Sequence, residues 1–369
     1  MDISKEKYAL PYSCQINLTN KCNLRCKHCF GNYSKKANNE LNLEEWKKVI
    51  DDLVSSGVFY INISGGEPTK CKFFKEFILY LEKKGMHFIL TTNGVFSKNI
   101  RNFILDHKEY LIGIKISLDG PDAVSHCFIR LDMNENFNPQ VFDITLENIK
   151  FFSEKRVSLT ITTVLHKKNI DKMGKFQKLI SEINPTSWFV SPIVPLGRGN
   201  ENWAISKFYE YYDPNFWGDI TSKGKKKGIN VHLIDTPINK GREGVSAYTC
   251  SGAITSCEIN ADGIVAPCSL SRVCIPKEKI KFENITKKPL KDIWNGKPFN
   301  KFRSYMNIGC EGCEMLPKCN KCIAQSFRYF GDGKSPTPFC IKQGKKTGLK
   351  DLEKYKKILE DKFSIKIKC

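Results

Sequence analysis

Six short apolar runs recur through the first two thirds of the chain: Ser13–Leu18, Val58–Ile63, His87–Leu90, Leu111–Ile116, Leu159–Val164 and Ser187–Ile193. Most are separated by segments of helical periodicity. Strands alternating with helices pair in parallel and cross over right-handedly, so an α/β fold is expected. The first helix is well marked. Asn42 caps it with Glu45 three positions on, Leu43, Trp46, Val49, Ile50 and Leu53 form one apolar stripe, and Gly57 ends it. Cys71 to Lys84 repeats the scheme, with Phe73, Phe74, Phe77, Ile78 and Leu81 facing inward.

Polar or glycine-rich motifs follow directly on five of these strands: CNLRCKHCF, SGGEP, TTNG, SLDG and GRGN. Barrel enzymes carry their chemistry at the C-terminal ends of the strands. Six strands rather than eight predict a partial (β/α)6 TIM-type barrel, open at the side, over residues 1–235. Beyond about Asp235 the alternation fades and cysteines crowd in, which predicts a loop-rich second domain over 236–345. The remainder, 346–369, reads as a basic tail. Its helix is expected from Lys345 to Asp361, with Leu349, Leu352, Tyr355 and Leu359 on one side.

Composition narrows the function. With 41% hydrophobic and 27% charged residues, the 369-residue chain is globular. No run approaches the roughly 18 apolar residues of a membrane span, and the start MDISKEKYAL lacks a signal peptide's apolar stretch. A cytoplasmic protein without a membrane partner is expected. Sixteen cysteines in a reducing compartment are metal ligands sooner than disulfides. The net charge of +20 is scattered, with only short runs such as Lys225 to Lys227, so it marks a solvated surface rather than a nucleic-acid groove.

Cys22, Cys26 and Cys29, spaced C-x3-C-x2-C after the first strand, leave one corner of a [4Fe-4S] cluster without a thiolate. A zinc site with His28 as fourth ligand is the competing reading of the same residues. With Phe30 after the last cysteine and SGGEP ending the second strand, the pattern resembles the radical S-adenosylmethionine (SAM) enzymes. That resemblance implies that SAM chelates the open iron and is cleaved reductively to a 5'-deoxyadenosyl radical. It also implies that Gly65, Gly66, Glu67 and Pro68 receive the methionine amino group, and that Asn93 lies near SAM. By the same likeness Ser117 and Asp119 lie near the ribose, and His166 to Asn169 and Gly197-Arg198-Gly199 match stretches that flank SAM.

A second cysteine set follows. Cys250, Cys257 and Cys268 form one group, Cys310, Cys313, Cys319 and Cys322 a C-x2-C-x5-C-x2-C run, and Cys340 stands further on. Two C-x2-C pairs also suit a compact zinc module. The arrangement resembles the SPASM domain, an extension with two auxiliary [4Fe-4S] clusters. The family's interleaving implies Cys250, Cys257, Cys268 and Cys322 for one cluster and Cys310, Cys313, Cys319 and Cys340 for the other. The family has three residues between its last two clustered cysteines where this chain has Asn320 and Lys321, so Cys274 remains an alternative to Cys322. Cys14, Cys71, Cys127 and Cys369 match no family position.

The resemblance implies hydrogen abstraction from a substrate, with a ribosomally made peptide or a protein side chain expected first, for crosslinking, oxidation or epimerisation. A flavodoxin or ferredoxin would supply electrons. Only about a dozen residues precede strand one, so a separate leader-peptide-binding protein is a further expected partner. A sulfatase-maturing enzyme ranks lower because Ser269 stands where that subgroup has Asp. A tetrapyrrole- or quinone-cofactor-maturing enzyme is a third reading. A zinc-stabilised basic nucleic-acid-binding protein is the rival from another class, and it leaves SGGEP, SLDG and the alternating strands unexplained.

Overall fold

The computed structural model describes residues 9–33, 39–202, 205–206, 218, 220–223, 228–233, 250–306, 308–314, 321–349 and 351–363. It divides into two compact units, one of Ser13–Ile234 with Ile259–Gly263, the other of Met1–Tyr12, Asp235–Glu258 and Ile264–Cys369.

The first unit is built on parallel strands β1 (Ser13–Asn17), β2 (Tyr60–Ser64), β3 (His87–Thr92), β4 (Leu111–Ser117), β5 (Leu159–Leu165) and β6 (Ser187–Pro192). Each pairs with the next in chain order, so the sheet is laid down by successive crossovers and stays open. A seventh parallel strand, β7 (Asn230–Leu233), extends it beyond the six read from the sequence. Its run NVHL is too short and too polar to stand out as a strand.

Helix α1 (Leu43–Ser55) carries the expected capping box between Asn42 and Glu45. Its Trp46, Val49, Ile50 and Leu53 are 0–3% exposed, and each such side chain contributes about 1.5–3 kcal/mol of hydrophobic stabilisation. Helix α2 (Phe74–Lys83) buries Phe74, Phe77, Ile78 and Leu81 in the same way. The strands alternate between two faces. Ile114 and Ile116 of β4 are fully buried. Ile116 lies on the same side as Thr145 of α3 (Pro139–Glu154), both being close neighbours of Gly94. The opposite, inner face bears Gln15 in register with Asn62, and Thr91 in register with Lys115 and Thr160, all half-buried.

The second unit is loop-rich, with short strands β8 (Ser256–Ile259) and β9 (Val265–Ala266) and several short helices. Arg303 holds it together locally. Its Nε donates to the Ala253 carbonyl at 2.7 Å and its Nη1 to the Trp294 carbonyl at 2.8 Å, and the guanidinium stacks on the Trp294 ring. The tail helix runs over Leu352–Phe363, later than the sequence implied, because Gly348 in the left-handed region (φ +65°) interrupts the segment before it. Leu359 is its buried residue.

Candidate metal and cofactor site

The loop of Cys22, Cys26 and Cys29 is gripped on several sides by backbone and side chains from distant parts of the sheet unit. Arg25 N donates to the Leu131 carbonyl and Lys27 N to that of Ile129, at 2.9 and 2.8 Å. Opposite, Arg198 donates from Nε to the Cys26 carbonyl at 2.8 Å and from Nη1 to Asn32 Oδ1 at 2.7 Å. Arg198 is therefore no surface residue; it is 8% exposed and ties the GRG turn to the cysteine loop.

The glycines read as SAM contacts serve this loop. A Cβ on Gly66 would stand 2.2 Å from the Lys21 carbonyl oxygen, and one on Gly65 would stand 2.4 Å from that of Thr19. Gly66 N and Glu67 N also donate to the Thr19 and Lys21 carbonyls at 2.7 Å. Gly197, at φ +51°, and Gly199 likewise lie against the backbone of Cys29–Phe30 and of Val194. Only residues without a side chain permit these approaches.

Glu67 faces inward. Completely buried, its carboxylate accepts from Thr69 Oγ1 (2.7 Å), Thr92 Oγ1 (2.8 Å) and Asn93 N (2.8 Å), stitching the end of β2 to the end of β3. Burial nonetheless raises its pKa despite these donors. Pro68 is buried and opens the single 3-10 turn after it. Asn93 donates from Nδ2 to Asn23 Oδ1 at 2.9 Å and lies 3.9 Å from Cys22 Sγ, so it aims a donor at that sulfur.

Asp119 is buried too. Burial would raise its pKa, but Arg130, with Nε at 2.5 Å from Oδ2, holds it below the usual carboxylate range. Val164 N donates to its other oxygen at 2.7 Å, and its carbonyl accepts from His166 Nε2 and Asn169 Nδ2. Ser117 stays half-buried on the inner face, accepting from Thr162 Oγ1 at 3.3 Å. Sequence reasoning missed Arg130 and His126 beside it. Arg130 belongs to the same 129–131 segment that pairs with the cysteine loop, and its charge acts on Cys26 and Cys22. No local motif marks it.

The donor set fits a cluster. Burial pushes the Cys22 thiol up to about 11 and that of Cys26 to about 12, so a positive group must replace their protons for thiolates to form. A [4Fe-4S] cluster takes one cysteine per iron, and three cysteines of one loop can supply three of the four. His28, the zinc ligand of the competing reading, is buried with no partner at Nδ1.

In the second unit, Cys310 lies within electrostatic reach of Cys313 and Cys340, and Cys268 within reach of Cys250. Cys257 is buried, and Cys322 caps the helix Ile323–Phe330. Cys319 lies outside the described residues. Among the described residues Cys274 has Arg328 as its charged neighbour and no thiol among the groups that shift it.

Comparison with known proteins agrees with this layout. The radical SAM superfamily model matches residues 16–180, and the SPASM iron-sulfur cluster-binding domain model matches residues 250–323. An AdoMet-dependent heme synthase of Methanosarcina barkeri is 28% identical over 361 residues, covering 89% of this chain and 96% of that protein. The mycofactocin maturase MftC of Mycobacterium tuberculosis is 26% identical over 336 residues, covering 88% and 81%. Streptococcus suis SuiB bound to the precursor peptide SuiA superposes with a TM-score of 0.71 at 19% identity, over 89% of this chain and 75% of that one. Radical SAM and SPASM domains bind [4Fe-4S] clusters. The cysteine loop at the end of β1, the cysteine-rich unit behind the sheet unit in sequence, and both models matched in that order make this chain a radical SAM protein with a C-terminal SPASM domain.

Proposed function

We propose that the protein modifies a ribosomally made peptide by SAM-dependent hydrogen abstraction. Cys22, Cys26 and Cys29 hold the SAM-binding cluster, and Asn93, with a donor directed at Cys22 Sγ, orients that loop. When bound, cluster and SAM together supply one-electron reduction and removal of a hydrogen atom from carbon. The chain's own part is positioning and exclusion of water. Arg198, Gly66 and Gly197 fix the cysteine loop, and the inner sheet face presents the substrate to it.

That inner face is the observation that carries the reading. Asn62 donates to Gln15 Oε1 at 3.2 Å and accepts from Thr91 Oγ1 at 2.8 Å, and Ser64, Ser117, Thr160 and Thr162 lie on the same half-buried surface. Such a lining suits the amides of an extended chain better than an apolar macrocycle. The same fold accommodates a precursor peptide in SuiB. The cysteines of the second unit would hold two auxiliary clusters, with Cys340 joining Cys310, Cys313 and Cys319. A flavodoxin or ferredoxin would deliver electrons, and a separate leader-binding protein would complete recognition.

A tetrapyrrole substrate is the second reading, favoured by the heme synthase likeness, which spans nearly the whole of that relative. Anaerobic incubation with SAM, dithionite and either the product of an adjacent short gene or coproporphyrin III separates the two by mass spectrometry. A crosslinked peptide is two hydrogens lighter, and an epimerised one gains a deuteron in heavy water. Modification of coproporphyrin alone would end the peptide reading.

A further inference from the structure

Lys115 is anomalous on the inner face. It sits mid-strand in β4, flanked in register by Thr91 of β3 and Thr160 of β5. Its side chain is half-buried, and among the described residues no carboxylate pairs with it. The neighbouring group that addresses the ammonium is the Phe189 ring, with Nζ 6.0 Å from the centroid. Phe189 in turn stacks on His232 of β7 at 4.5 Å and 18°. Burial lowers the lysine's pKa, and no other influence offsets it. By contrast the other deeply placed cations of this unit have their own acceptors, Arg130 on Asp119 and Arg198 on Cys26 O and Asn32.

A half-buried ammonium without a carboxylate partner from its own chain is disfavoured by burial and stabilised by an arriving anion. The Thr160 hydroxyl, in register beside Lys115, can add a hydrogen bond to a carboxylate, and the stacked rings offer a flat floor beside it. We propose that Lys115 binds a carboxylate of the substrate on the inner face of the sheet, next to the Phe189 and His232 rings. This rests on the inner face being the substrate chamber. It does not depend on the substrate being a peptide, because an acidic residue or a C-terminus and a tetrapyrrole propionate offer the same group.

The test uses the anaerobically loaded, full-length protein with SAM. Coproporphyrin III and its methyl ester are titrated by visible absorbance. The peptide encoded by an adjacent short gene, and versions with each Asp or Glu changed to Asn or Gln, are titrated by calorimetry. Lys115→Met should weaken binding of the carboxylate form of one probe class by at least about tenfold while leaving its ester or amide form unchanged. Lys115→Arg should recover part of the loss, and iron and sulfide content reports that both variants load normally. A loss on the peptide supports both the carboxylate site and the peptide reading. A loss confined to the porphyrin keeps the carboxylate site and ends the peptide reading. The proposal is overturned if Lys115→Met binds charged and neutral forms as the wild type does, or if neither probe class binds the wild type. It is equally overturned if the variant loses affinity for SAM itself, which would put Lys115 on SAM's carboxylate.

Discussion

Arg130 Nε lies 2.5 Å from Asp119 Oδ2, and the pair is shut inside the sheet unit with the arginine side chain 8% and the aspartate 0% exposed. Arg130 also stands where the chain pairs with the cysteine loop, so one guanidinium neutralises a buried carboxylate and places a fixed positive charge near Cys22 and Cys26. Arg130→Met should therefore cost about 3–5 kcal/mol of stability, because it strands a buried anion. Urea unfolding measures it. The double variant with Asp119→Asn should recover much of the loss, whereas a single variant within about 1 kcal/mol of wild type would mean the pair is not buried as described.

His126 lies beside this pair. Its Nδ1 accepts from Asp119 N at 3.1 Å, its Nε2 is buried without a partner, and burial pushes its pKa down to about 3. His166 is lowered to about 4. The unfolded chain, with ordinary histidines, takes up protons first as pH falls below about 6.5, so their contribution is fully present above that pH and is lost on acidification. Each should cost about 1.4 kcal/mol per pH unit down to its folded pKa. Urea midpoints between about pH 7 and pH 5 should fall along this slope. His126→Asn, which keeps an acceptor for Asp119 N, should have a shallower slope, and an unchanged one would contradict the assignment.

Gly66 has no room for a side chain, a Cβ there lying 2.2 Å from Lys21 O. Gly66→Ala should displace the cysteine loop and lower bound iron by about four per chain, with the second unit's iron retained. Full iron content in this variant would show that the loop can move aside.

The sequence carried the strand order, the capping box of α1 and the three-cysteine loop, because each is written in consecutive residues or in regular periodicity. It did not carry what the motifs do to one another. The structure adds that Glu67 is held by Thr69, Thr92 and Asn93 and that Gly65 and Gly66 lie against residues 19–21. Arg130, Asn23 and Asn169 act through partners far away in the chain or through backbone atoms, and no spacing marks such contacts. β7 escaped because NVHL offers too little apolar pattern.

Among the described residues Arg328, and no thiol, acts on Cys274, while Cys322 stands at the N-terminal end of the helix Ile323–Phe330, closing the clustered run. Cys274→Ala should leave the low-temperature paramagnetic spectra of all clusters unchanged, and Cys322→Ala should alter one auxiliary signal. The reverse pattern would show a rewired ligand set.

The central claim is tested most directly by 5'-deoxyadenosine formation from SAM and dithionite, measured alongside iron in wild-type protein and in a variant with Cys22, Cys26 and Cys29 all changed to Ala. The wild type should hold about twelve irons and cleave SAM, and the variant should keep about eight and form no 5'-deoxyadenosine. Continued formation by the variant, or a wild type that holds stoichiometric zinc instead of iron, would contradict the account.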